Sequence, residues 1–316
     1  VSGALAARYL HFAETETCGL SPSYDAACRA VAACPELLAR LEELPPPKRQ
    51  PNLLLAATRH AAGLPDDAAG FPVHVLERWD EVRPVMLSRR TQTNEPGRCA
   101  CLVPVLGLLE GPLALIEVGA SAGLCLLPDL YGYDWGRARL PSPSPRAPVF
   151  PCAVTGPAPL PGRHPEIAWR SGLDLDPLDP ADPEAADWLK ALVWPEQHGR
   201  RARLEAALEL AASASPDVVR GDLLDDTEAM ISRAPSGLRV VVMHTAVMAY
   251  LEPPDRSRFV ELIHDLGVDW IANEGPRVHP GHAPPGTPEG RFVLALDGRP
   301  LALAGPHGQS LDWLSP

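Results

Sequence analysis

Twelve residues restrict this chain more than any other stretch: Leu113-Ala114-Leu115-Ile116-Glu117-Val118-Gly119-Ala120-Ser121-Ala122-Gly123-Leu124. An apolar run reaches a carboxylate, turns through small residues and resumes as apolar. A strand of a parallel sheet, buried on both faces, reads this way. The glycines at its end allow a tight turn and a close approach of backbone to a cofactor. Two chemistries use such a turn. In one it cradles a nucleotide-like cofactor at the start of a helix; in the other, G-x-S-x-G is an elbow that presents Ser121 as a nucleophile.

The segments around that turn set the fold class. Downstream, strands are expected at Val149–Val154, Ile167–Asp174, Val218–Asp222, Leu238–Met243 and Val268–Ala272. Helices are expected at Leu124–Tyr131, Trp188–Trp194, Arg201–Ala214 and Asp255–Leu266, and a hairpin turns at Asp297-Gly298 between Phe292–Leu296 and Leu301–Leu303. Upstream, helical spacing of Leu, Ala and Val covers Leu5–Ala13, Ser23–Leu44, Asn52–Ala62 and Val73–Ser88, with Pro35 and Pro84 as breaks or kinks. Ser21-Pro22 has the pattern of a helix start, serine as cap and proline just inside. The expectation is an α/β fold with a mainly parallel sheet and a closing β-hairpin. A helical region, 1–110, precedes a sheet domain, 111–316, and packs on it; a proline-rich insertion occupies about 137–165.

Composition narrows the function classes. A net charge of −12 disfavours nucleic acid and anionic membrane, which call for clustered Lys and Arg. No stretch approaches the roughly 18 apolar residues of a membrane span. Val1–Glu16 lacks the basic, apolar, small-residue succession of a secretory signal, so the cytoplasm is expected. The 7 cysteines include no C-x-x-C pair and read as reduced structural thiols rather than a metal site.

On a parallel sheet, ligands bind beyond the C-terminal ends of the strands, near the point where strand order reverses. Glu117, Asp174, Asp222, His244 and Glu274 all fall at such ends. A hydrolase places several strands before its serine and adds an HGGG-type oxyanion loop; here Ser121 follows the first strand and no HGGG occurs. A nicotinamide fingerprint, G-x-G-x-x-G, is also absent. The pattern E-x-G-x-S-x-G instead resembles the first motif of class I S-adenosylmethionine-dependent methyltransferases. That resemblance implies a Rossmann-like sheet, Glu117 at the cationic amino end of the cofactor, and Gly119, Ser121 and Gly123 in the turn. It places Asp174, in Gly172-Leu173-Asp174, at the ribose hydroxyls and Asp222 near the adenine amine. The spacing departs from the pattern: Gly119 and Asp174 are 55 residues apart, against roughly 20 in a compact unit.

At a finer level the chain is similar, over about residues 20–314, to a bacterial family known as domain of unknown function 2332. RQPNLLLAA (49–57), QTNEPGRC (92–99), EVGASAGL (117–124), RSGLDLDPLD (170–179), WLKALVWPE (188–196), HTAVMAYL (244–251) and PHG (306–308) carry the likeness. Cys125 stands where the family usually has asparagine.

The polar QTNE segment, with Asn94, Glu95 and Arg98, is expected to face the glycine turn, Arg98 offering a bidentate fork to a carboxylate. His244, Tyr250 and Glu274 are the candidates for accepting-group chemistry, His244 as a base, and Asn273 is a further acceptor contact. Arg170 is expected to be paired internally. His279 and His282 lack an evident third metal ligand, and His307 is a turn or lid residue. The function expected is S-adenosylmethionine-dependent methylation of a small molecule, with no metal. The alternatives are a serine hydrolase using Ser121 and a non-catalytic binding module.

Overall fold

Proline placement governs the helical part. Pro22, Pro35 and Pro51 each stand in the first turn of a helix, where a missing N–H costs nothing. The predicted helix over 23–44 is therefore two, α2 (Pro22–Ala32) and α3 (Pro35–Glu42), and Ser21 caps the first by accepting from the Tyr24 amide at 3.4 Å. The computed structural model describes residues 2–279, 281 and 283–315. In it α1 (Ser2–Phe12) passes into a π-turn at Ala13–Thr17, and α4 (Pro51–Ala62), α5 (Phe71–Glu77) and α6 (Trp79–Ser88) follow. Pro84 stays inside α6, and Pro104 inside α7 (Cys99–Leu106).

The apolar run forms β1 (Leu113–Val118), every residue of it buried. Beyond the turn the chain does not form the expected helix over 124–131. A single 3-10 turn, Leu124–Leu126, is all that appears. Leu124 to Leu127 are buried on every side, so no solvent face exists for an amphipathic helix, and Pro128 withdraws the next amide. A three-stranded sheet follows instead, ordered β3 (Arg139–Leu140), β2 (Gly132–Asp134), β4 (Val149–Pro151). The expected strand over 149–154 splits, its second half becoming β5 (Ala153–Thr155) on the edge of the main sheet. Then come β6 (Ile167–Asp174), α8 (Pro183–Ala191), α9 (His198–Ala214), β7 (Asp217–Arg220), α10 (Thr227–Ser232), β8 (Arg239–Thr245), α11 (Pro253–Leu266) and β9 (Asp269–Glu274). The hairpin β10 (Phe292–Leu296) and β11 (Arg299–Ala304) turns through Asp297 and Gly298 at φ of 50° and 76°, the left-handed pair a two-residue hairpin demands. A last strand, β12 (Ser310–Trp313), was not foreseen.

The chain divides into two compact units. One holds 1–93 together with 183–202; α4 lies against α6 and α8 in it, and Ser21 Oγ donates to Glu196 at 2.5 Å. The other holds 94–182 and 203–316 and contains both sheets and α7. The main sheet is mixed and mainly parallel, ordered β5-β12-β11-β10-β9-β8-β1-β6-β7. Neighbours from β7 through β9 are parallel, while β10, β11 and β12 add antiparallel steps. Counted along the chain, its first five parallel strands (β1, β6, β7, β8, β9) lie in the order third, second, first, fourth, fifth. The order reverses between β1 and β8, which is where an open parallel sheet leaves a crevice for a ligand.

Register sorts side chains onto the two faces, since paired residues in neighbouring strands point the same way. Ile116, Val118, Leu173, Val242, Trp270 and Ala272 face Met230 of α10 and Phe259 and Ile263 of α11, forming one core. Glu117 pairs with Met243 and Gly172, and Thr245 with Asn273, so Glu117, Thr245, Asn273 and Asp174 belong to the opposite face.

Candidate functional site

Five chain segments meet at the C-terminal end of this second face. The glycine turn runs with three left-handed residues, Gly119, Ser121 and Gly123, at φ of 74°, 52° and 71°. Asp174, ending β6, braces it: Oδ2 accepts the Ser121 amide and Oδ1 the Asp176 amide, both at 2.8 Å. From a third segment Asn94 Oδ1 accepts the Leu124 amide at 2.9 Å, and the Cys125 thiol donates to the Glu95 carbonyl at 3.4 Å. Asn94 and Glu95 are thus built against the turn. Glu95 turns back on its own loop, Oε1 accepting the Gly97 amide at 3.0 Å.

Arg98 ties in the remaining two segments. Its Nη1 donates to the carbonyl and the hydroxyl of Thr245, each at 3.1 Å, and its Nε to the Pro306 carbonyl at 2.9 Å. The guanidinium lies 5.6 Å from the centre of the Phe292 ring, a cation–π distance. The PHG turn packs on 96–98 so tightly that a Cβ on Gly308 would come within 1.9 Å of the Gly97 carbonyl oxygen. His307 Nδ1 stands 3.7 Å from Glu95 Oε2 at the rim.

Glu117 is buried on this face and its Oε2 has no hydrogen-bond partner. Burial, seconded by Cys125 and Asp174, pushes its carboxyl well above the usual range, against the pull of Arg98. The folded protein therefore holds this proton more tightly than the unfolded chain, and the contribution of Glu117 to stability declines as pH rises from the ordinary 4.5 towards its folded value. Glu117→Gln should accordingly raise the melting temperature at pH 7, by the equivalent of about 1–3 kcal/mol for an uncompensated buried group. The gap to wild type should shrink as pH is lowered to 4.5. A Gln variant less stable than wild type at pH 7 would show a paired, ionised Glu117.

His244 and Glu274, the candidate chemical pair, lie on the other face. Both are buried, and His244 packs against Phe259 and Trp270 with ring centroids 5.7 Å away in each case. Glu274 Oε1 accepts from His244 Nδ1 at 2.7 Å, from the Val247 amide at 2.9 Å and from the Met248 amide at 3.1 Å. Burial works upward on this carboxyl, but those donors overcome it and hold it below its usual range. What the pair fixes is the loop after β8, including Ala246 at φ of 57°. That loop sets Val247 against the glycine turn: a Cβ on Gly119 would lie 2.4 Å from Val247 Cγ2. The glycine serves a close approach, and the partner is protein. Nothing in the sequence marks Val247.

The other candidates scatter. Tyr250 is 72 % exposed. Asp222 is half-buried and accepts the Leu224 amide at 2.7 Å in a local turn, two residues past the end of β7. Arg170 is paired with Asp129 at 2.7 Å. The ring of His279 lies 6.1 Å from that of His244, and His282 falls outside the described residues. All 7 cysteines are free thiols. Among the described residues no group of three His, Cys, Asp or Glu is placed to hold a metal, and no helix is long and apolar enough to cross a membrane.

Comparison with known proteins agrees with the likeness seen in the motifs. Residues 64–313, well over half of the chain, match the model of a family described as uncharacterized protein conserved in bacteria (DUF2332), and the chain belongs to that family. No curated protein matches it.

Proposed function

We propose that this family member is a methyltransferase-like protein that binds S-adenosylmethionine and acts on a small molecule. Strand order carries the reading. The sequence third, second, first, fourth, fifth is that of a Rossmann sheet, with the glycine turn after the first strand and an acid, Asp174, ending the second. The closing strands depart from a simple doubly wound sheet, since β10 and β11 are joined as a hairpin.

The residue types suit the group in part. Among the described residues Glu117 Oε2 is an unsatisfied buried oxygen that calls for a polar group of the ligand. The turn itself is not an open cradle, because Val247 fills the space before Gly119, and Pro216 and Val218 that before Gly123. In this reading the ligand is held by side chains from the Asn94–Arg98 side, with Ser121 Oγ as a further donor. When bound, the group supplies an electrophilic methyl on a cationic sulfur. The residues of the chain bind and orient, which suits an in-line transfer in which position dominates. His244, on the far face, positions the Val247 loop.

Calorimetric titration with S-adenosylmethionine tests this directly. Wild type should bind, and Asp174→Asn, which keeps an acceptor for the Ser121 amide, should weaken binding by about tenfold through the lost charge. Absence of heat and of a thermal shift at millimolar ligand, with folded protein, would overturn the proposal.

One observation favours the hydrolase as a second reading: Ser121 adopts the left-handed backbone that a nucleophile elbow stores as strain. Among the described residues, however, its hydroxyl has no hydrogen-bond partner, so none of them is placed as a base to activate it. Fluorophosphonate labelling that vanishes in Ser121→Ala would reverse the order of the two.

A further inference from the structure

Arg98 is buried to 6 % exposure, and its charge is permanent. Its hydrogen bonds all go to neutral oxygens, and among the described residues no carboxylate oxygen lies within 4.0 Å of its nitrogens. Nη2 donates to nothing among those residues. Buried guanidinium groups are ordinarily matched by an anion, because neutral acceptors satisfy the N–H groups without offsetting the charge.

A second group is unsatisfied beside it. Asn273 is fully buried, and among the described residues neither its side-chain oxygen nor its side-chain nitrogen has a hydrogen-bond partner. Register sets it between Thr245 of β8 and Leu294 of β10, on the face that carries Phe292. Thr245 and Phe292 are the two residues of this sheet that the guanidinium touches. Asn273 therefore neighbours Thr245, which the guanidinium touches, and offers two N–H donors and one acceptor; Glu117 feels the charge of Arg98 but makes no ion pair with it among the described residues.

We infer that Arg98 and Asn273 form a carboxylate subsite. The carboxylate accepts from Arg98 Nη2 and Asn273 Nδ2, and Asn273 Oδ1 calls for a donor on the neighbouring atom of the ligand. That combination describes an α-hydroxy or α-amino acid group. The group belongs either to a separate small acid or to the amino-acid end of the proposed cofactor. The inference does not depend on the cofactor, since it stands on Arg98 and Asn273 alone.

The test is thermal-shift and calorimetric titration of the full chain at constant ionic strength with lactate, alanine and propionate. Lactate or alanine should stabilise wild type more than propionate does. Asn273→Asp supplies the anion internally: it should raise the melting temperature and weaken the preferred acid by about 10–100-fold, the range of a lost charge-assisted contact. If the group is the cofactor's own, the free acids should fail, S-adenosylmethionine should bind about tenfold or more tighter than its decarboxylated analogue, and Asn273→Asp should erase that difference. A wild type that ignores every acid and binds the two cofactor forms equally would overturn the subsite, as would an Asn273→Asp variant that is destabilised. Should S-adenosylmethionine not bind at all, the acid titrations still decide the matter, so the two proposals fail separately.

Discussion

Glu274→Ala is expected to lower stability at pH 7 by about 3 kcal/mol or more, since each donor left stranded in the interior costs about 1–3 kcal/mol. The single oxygen Oε1 accepts from His244 Nδ1 and from the amides of Val247 and Met248, so truncation strands three donors inside the protein. Glu274→Gln keeps a carbonyl oxygen for those donors and should cost clearly less. The comparison separates loss of the hydrogen bonds from loss of the charge. pH gives an independent readout. The folded carboxyl lies below its ordinary 4.5, so its contribution is complete above that value and disappears as pH falls through the folded value. The stability gap between wild type and Glu274→Gln should narrow as pH falls below 4.5. Glu117, on the opposite face, should show the reverse slope. Equal melting temperatures for wild type and Glu274→Ala at pH 7 would remove the latch assigned to this residue. A latch also predicts a local effect: amide exchange at 246–250 should quicken in Glu274→Gln more than exchange in β8 does.

How far the sequence foretold this arrangement depends on range. The parallel strands were legible because burial on both faces leaves them as uninterrupted apolar runs, Leu113–Ile116 and Val240–Met243 above all. The hairpin turn was legible from Asp297-Gly298, and the helix starts from Ser21-Pro22 and its counterparts, since those signals are local. Strands β2, β3 and β12 escaped notice, being two to four residues long and defined by their pairing partners. The expected helix over 124–131 failed for a similar reason. Apolar residues without a polar face signal burial, and only Pro128 argued against a helix.

Within the site, residue identities could be read but their grouping could not. Acids at strand ends pointed to Glu117, Asp174 and Glu274 equally. Which face each occupies follows from a one-residue difference in register, and that assigns Glu117 and Glu274 to different chemistry. The nearness of Arg98 to Thr245 and Pro306 spans 147 and 208 residues of chain, beyond any motif. Gly119 shows the limit most clearly. A tight turn with a close approach to a cofactor is expected there; the turn forms, and the close neighbour is Val247.

The PHG turn yields the other large effect. Gly308→Ala should destabilise the protein by about 3 kcal/mol or more, combining a left-handed φ with overpacking. The backbone stands at φ of 73°, and the added Cβ would meet the Gly97 carbonyl oxygen at 1.9 Å and the Arg98 amide nitrogen at 2.7 Å. Both obstacles are main chain, so no rotamer change relieves them. The PHG turn and the Pro96–Arg98 turn must separate, and the 2.9 Å bond from Arg98 Nε to the Pro306 carbonyl opens with them. Gly267→Ala is the control: it is left-handed at φ 63° and ψ 32°, but nothing lies within 4 Å of the added carbon. The control should lose only the backbone cost, on the order of 1 kcal/mol. Chemical denaturation of the two variants measures the difference, and equal losses would mean that the two turns are not in contact. A Gly308→Ala variant that still folds should also lose discrimination among the small acids, because Arg98 is then no longer held over Phe292.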